Sequence, residues 1–256
     1  MCVRAHPGSW RTDMVLLLCG GVGSGKSVAL QILRRRYGAE LLGMDEAAHE
    51  LYRPGGKAYS FVLSLLGSAV LSEDGNLNRK KMAELLYADP ARMERLNREI
   101  HPMVYAEVEK RIRRNRAPLL VVETALPSGD KSLYNEVWYV HSSIAVREER
   151  LRKSRGYSTE RILEIMGRQM TEEAFFAYAD RVIENDGTEA ELIREIDRAA
   201  KAAGLSRREA EEKTGTEGKT GTEEKTGTEE FGTEAHRIKG VWEDMNKTKP
   251  KERSAT

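Results

Sequence analysis

Residues 14–36 read MVLLLCGGVGSGKSVALQILRRR, and this stretch decides the fold. A short apolar run, Met14 to Cys19, leads into Gly20-x-x-x-x-Gly25-Lys26-Ser27, and a segment with Val28, Leu30, Ile32 and Leu33 at its apolar positions follows. Strand, glycine-rich turn, helix is the order of a phosphate loop. Residues without Cβ let backbone N–H groups wrap a polyphosphate, and the helix start behind them favours negative charge. The expected nucleotide-binding residues are therefore Gly21, Val22, Gly23, Ser24, Gly25, Lys26, Ser27 and Val28. Lys26 is expected to reach the β- and γ-phosphates, and the Ser27 hydroxyl to ligate the Mg²⁺ that travels with them. The motif alone does not separate kinase, ATPase and GTPase.

Downstream, Ala39 to Met44 reads as a second strand with Asp45 at its carboxyl end. Ligands of open parallel sheets bind at that edge, so Asp45 faces the loop in this reading. The competing reading makes it the N-cap of a helix over Glu46 to Arg53. After Pro54-Gly55-Gly56, residues Lys57 to Arg116 read as mostly helical, with turns at Glu73 to Asn76 and Asp89-Pro90. That is too long for a crossover helix, and it predicts a helical insertion able to cover a second substrate. Ala117 to Glu123 (APLLVVE) and Glu136 to His141 (EVWYVH) are continuous apolar runs suited to buried parallel strands. The loop Leu126-Pro127-Ser128-Gly129 joins them on the ligand edge.

Ser143 to Met170 is helical in pattern and dense in arginine, with Arg147, Arg150, Arg152, Arg155, Arg161 and Arg168, and Gly156-Tyr157-Ser158 splits it. A solvated charged face is the bland reading. Two arginine-bearing helices after the fourth strand of a phosphate-loop protein are also what a closing lid requires, because guanidinium groups neutralise a transferring phosphoryl group. Ala179 to Gly187 then reads as a last short strand and turn. Thr188 to Leu205 reads as a closing helix stopped by Gly204.

Both ends differ from this body. Residues 1–13 have no periodicity and read as a disordered leader, with Met14 a candidate start. From Ser206 the chain turns polar, and a KTGTEG/KTGTEE unit recurs over Lys213 to Glu230. Such a repeat has no apolar position to bury, so residues 206–256 are expected to be a disordered tail. Ile238, Val241 and Trp242 beyond it could dock as a short peptide.

The 256 residues suffice for an α/β domain, and a net charge of +1 gives no field calling for nucleic acid. Two cysteines, Cys2 and Cys19, form no disulfide framework and point to a reducing, cytoplasmic setting. The run at Met14 to Cys19 is too short to span a bilayer, so no membrane is expected.

Taken in order, these pieces resemble the dephospho-CoA kinase family over about Met14 to Leu205. The carrying features are the loop, Asp45 before Pro54-Gly55, Asp74-Gly75-x-Leu77-x-Arg79, and Leu96-Asn97 with His101-Pro102. Further along come Arg150-Leu151 with Arg155-Gly156, Gln169, and Ala179-Asp180 with Asn185 and Gly187. The His-Pro pair and the Ala-Asp…Asn-x-Gly ending are more particular than the loop. The resemblance implies a phosphate-loop NTPase-type parallel five-stranded sheet flanked by helices, a helical insertion (about 57–116) receiving dephospho-CoA, and a helical lid (about 147–170).

It also implies transfer of the γ-phosphoryl group of ATP, with Mg²⁺, to the ribose 3′-hydroxyl of dephospho-CoA; a monomer is expected, though the sequence itself does not reveal the oligomeric state. Asp45 is then the base or orienting carboxylate. Arg150 and Arg155 act from the lid with Lys26, Arg79 and His101 shape the acceptor side, and Asn185 lies near the adenine. The chain departs from the family pattern at Gly43, where an acid two residues before Asp45 is usual. It departs also at Val28, where Thr is common, and at Glu123-Thr124-Ala125-Leu126-Pro127, which stands shortened in place of a Pro-Leu-Leu-x-Glu segment. A nucleoside or nucleoside-monophosphate kinase on the same scaffold, and a nucleotide-binding protein that has lost transfer, are the competing readings.

Overall fold

The computed structural model describes residues 13–127, 131–167 and 169–207. The expected leader (bar Asp13), Cys2, the part of the loop at Ser128-Gly129, Arg168, the repeat and the Ile238/Val241/Trp242 segment all lie outside the described residues.

Five strands form one parallel sheet: β1 (Met14–Cys19), β2 (Glu40–Gly43), β3 (Leu119–Thr124), β4 (Glu136–His141) and β5 (Arg181–Glu184), in the order β2-β3-β1-β4-β5. β1 is buried at every position, as a strand covered on both faces must be. Alternate residues serve opposite faces. Leu16 and Leu18 join Val121, Trp138 and Val140 on the side covered by α1 (Lys26–Tyr37) and α9 (Glu189–Ala202). Val15, Leu17 and Cys19 join Leu120, Val122 and Tyr139 on the other side. That side is covered by α2 (Met44–Leu51), α3 (Lys57–Leu66), α4 (Arg79–Tyr87) and α5 (Pro90–Arg114), the expected helical insertion together with the helix that precedes it.

Each helix starts and stops where local chemistry allows. Asn78 and Asp89 accept from the N3 backbone of α4 and α5, and Pro90 opens α5. Pro102 sits inside α5, which runs on past it. Thr188 and Glu191 form a reciprocal capping box at α9, a signal not used in the reading above. The arginine-rich segment forms α6 (Ile144–Arg155) and α7 (Thr159–Gly167), broken at Gly156 in the left-handed conformation (φ 62°). A third short helix, α8 (Glu172–Tyr178), leads on to β5.

One expectation is corrected. The second strand stops at Gly43, and Asp45 is neither a strand end nor an N-cap. Gly43 takes the cap position with extended backbone, which puts Asp45 and Glu46 into the first turn of α2. Two acids there are favoured by the helix dipole, and this outweighs the pull of the apolar run toward one more strand residue.

Candidate active site

The loop after β1 is held by its carbonyls. Those of Gly20 and Gly21 accept from Lys26 Nζ (2.8 and 3.3 Å), and that of Val22 accepts from Arg147 Nε (2.9 Å). Ser24 O accepts from Asn185 Nδ2 (2.7 Å) and Ser142 Oγ (3.2 Å). In a trans peptide the N–H points opposite to the carbonyl, so drawing the oxygens of Val22 and Ser24 toward Arg147, Asn185 and Ser142 turns the N–H groups of Gly23 and Gly25 the other way. That is a row of donors set for an anion. Gly25 is required twice over: its φ is +93°, and a Cβ there would run into Asn185 Nδ2.

Lys26 is buried, and its ammonium also lies 3.8 Å from Glu123 Oε1. Glu123 is paired in register with Leu18 on one side and Gly43 on the other, so its side chain stands on the same face of the sheet as α1. A side chain at Gly43 would stand beside it. Glu123 Oε1 is buried and accepts no hydrogen bond among the described residues, and Ser24 Oγ is in the same position. The Ser27 hydroxyl is exposed at the start of α1. A hard cation takes oxygen ligands, and a carboxylate oxygen lacking a donor together with a hydroxyl at the loop is a donor set that fits Mg²⁺.

The carboxyl ends of the strands gather the rest. Asp45 lies two residues past Gly43, in the first turn of α2. Ser142 follows β4, and its hydroxyl donates to Asn185 O (2.6 Å) while accepting from Arg150 Nη1 (3.0 Å). Asn185 follows β5 and is buried against the loop it braces.

The family model described as CoaE, dephospho-CoA kinase, matches residues 14–191. The chain belongs to the dephospho-CoA kinase family. A dephospho-CoA kinase of Aromatoleum aromaticum is 34% identical over 197 residues, covering 73% of this chain and 96% of that one. One of Aquifex aeolicus is 33% identical, over 70% of this chain and 92% of its own length. Among solved structures, a Thermus thermophilus protein superposes with a TM-score of 0.66 at 27% identity, covering 76% of this chain and 99% of its own. Dephospho-CoA kinase from Campylobacter jejuni superposes at 0.51 with 17% identity, a likeness of fold, over 73% and 96% of the two chains.

Within this kinase the lid residues divide. Arg150 lies by the loop through Ser142, whereas Arg155, in the last turn of α6, sits over the Tyr157 ring at 5.8 Å with no contact to the loop among the described residues. Arg147 is the arginine that lies across the loop. Among the helices after β2, the Arg79 guanidinium of α4 meets His49 Nδ1 of α2. His49 is four residues beyond Asp45, on the same face of α2. His101 is half-buried on α5. Burial pushes the neighbouring Tyr52 phenol up, against the opposing charge of Arg79, so it stays protonated.

Glu123, Ser142, Arg147 and His49 are among the residues of this site that carry no individual role in the sequence reading. Glu123 was legible as an acid ending a strand. Its nearness to Lys26 depends on strand order, which no local pattern states.

Proposed function

We infer that this kinase moves the γ-phosphoryl group of ATP to the ribose 3′-hydroxyl of dephospho-CoA, yielding coenzyme A and ADP. The observation carrying the reading is the Glu123 carboxylate beside Lys26, with Asp45 offered from the first turn of the helix that follows the adjoining strand. An alcohol is a poor nucleophile at neutral pH and needs a carboxylate in hydrogen-bond reach. In the step proposed, the hydroxyl oxygen bonds to the γ-phosphorus, the bond from that phosphorus to the β–γ bridging oxygen breaks, and the hydroxyl proton passes to Asp45. Lys26 and the loop amides hold the triphosphate, and Arg150 carries a cation toward the transferring group, with Arg155 joining on closure of the lid. Asn185 fixes the loop near the adenine. Arg79 and His101 receive the acceptor. Ser27 and Glu123 would hold Mg²⁺, which when bound neutralises charge on the β- and γ-phosphate oxygens. We further take the enzyme to work as a monomer in the cytoplasm, in keeping with a buried reduced thiol at Cys19.

Two measurements test this. ADP release is compared with dephospho-CoA, adenosine, uridine and AMP as acceptors, and dephospho-CoA is expected to give the fastest turnover. Inactivity with it while another acceptor turns over would end the assignment. Asp45→Asn is expected to leave ATP affinity nearly unchanged and to cut kcat by roughly 100-fold or more. Equal rates for variant and parent would remove Asp45 from the chemistry.

A further inference from the structure

The segment between α7 and α8 contributes one side chain to the phosphate loop. Gln169 Oε1 accepts from Val22 N (3.0 Å) and from Arg147 Nη2 (3.0 Å), while Arg147 Nε donates to Val22 O (2.9 Å). Both polar groups of Val22 are thus gripped by side chains of the lid region. Its side chain is buried with Leu151, Ile162 and Ile165, a small apolar cluster made only of this loop and the lid. Gly23 is packed onto Leu151, and a Cβ at Gly21 would strike the Arg147 guanidinium. Both partners of Oε1 are donors, so the amide cannot be flipped, and Nε2 is left buried without an acceptor among the described residues. The orientation is imposed by the loop and does not satisfy Gln169 itself.

We propose that Gln169 is a positioning residue that sets the phosphate loop for the triphosphate, by holding the Val22 peptide and Arg147 through one carbonyl oxygen. Because the Val22 amide is consumed by Gln169, the phosphate-facing donors begin at Gly23. Arg147 has no ion pair among the described residues, and burial lowers its pKa against the pull of Tyr139 and Glu172, leaving a cation held by neutral oxygens beside the loop. Gln169 keeps that cation against the loop. The inference deepens the kinase reading above and rests on it for ATP as the ligand.

The test uses the whole chain and two ligands, ATP and inorganic tripolyphosphate, which presents phosphates without a base. Gln169→Leu removes the shared acceptor at similar size, and Gln169→Met serves if the first variant does not fold. Both affinities are expected to weaken by the same factor, about tenfold for the loss of a charge-assisted and a neutral hydrogen bond. The Km for dephospho-CoA and the melting temperature are expected to stay close to the parent's. Weakening of ATP alone would make Gln169 a base contact and overturn the proposal. So would parent-like tripolyphosphate binding, or an affinity loss matched by a fall in melting temperature and a shifted acceptor Km. Tripolyphosphate binding needs no acceptor, so an enzyme inactive on dephospho-CoA would sink the function reading while leaving this result interpretable.

Discussion

The two halves of the active site are built differently. On the ATP side the partners are backbone: four loop carbonyls each have side-chain donors drawn from α1, α6 and the exits of β4 and β5. On the proposed acceptor side the candidates are side chains on helices, with Asp45 and His49 on α2, Arg79 at the start of α4 and His101 within α5. A polyphosphate is the same in every phosphate-loop protein, so a fixed ring of amides serves it. An acceptor hydroxyl has to be met by a base at one particular place, and helix faces can be adjusted residue by residue to do so.

The hardest blow to that contrast should fall at Glu123, which stands between the halves. Glu123→Gln keeps the size and removes the charge beside Lys26. We expect kcat to fall by roughly 100-fold, with saturation shifted to higher Mg²⁺. A Mg²⁺ titration of initial rates checks this, and a parent-like curve would confine Glu123 to structure. Next in size is Arg79→Lys on the acceptor side. Loss of the planar fork should raise the Km for dephospho-CoA about tenfold and leave that for ATP unchanged. Parallel shifts in both constants would show that the halves are not separable.

The smallest effect lies away from the chemistry, where His141 at the end of β4 bonds Glu184 through Nδ1 and Glu172 through Nε2, each at 2.6 Å. Burial alone would lower its pKa, but the two carboxylates outweigh it and raise it above the ordinary 6.5. The stabilisation is therefore fully present below about pH 6.5 and is lost as pH rises through the higher folded-state value. Both carboxylates are substantially exposed, and solvent screening limits the effect to about 1 kcal/mol or less. His141→Gln should flatten this part of the stability curve, as read by thermal melts from pH 5 to 9. A parent-like slope would assign it to another group.

The sequence exposed the ATP half far better than the acceptor half. Gly20 to Ser27 is contiguous, so its chemistry can be read from one window. The lid helices and their glycine break also followed from local pattern. Which arginine meets the loop did not: Arg147, Arg150 and Arg155 share one helix, and only packing puts Arg155 on Tyr157 and Arg147 across Gly21. Glu123 and Gly43 are eighty residues apart in the chain and neighbours in the sheet. The family's usual acid at 43 is absent, yet a carboxylate on the adjoining strand occupies the same face, a relation visible only once register is known. Asn185 was read only as a base neighbour, and its hold on Ser24 O under the loop had no signal in the sequence.

Val22 is a plug of hydrocarbon seated in a socket whose walls are Leu151, Ile162 and Ile165. Unseating it would wet four apolar side chains at once, so the base of α6 cannot hinge away like a free door. The socket draws on both sides of Gly156, Leu151 from α6 and Ile162 and Ile165 from α7, so the two helices are pinned to the loop together and the bend that grips phosphate travels with its cover.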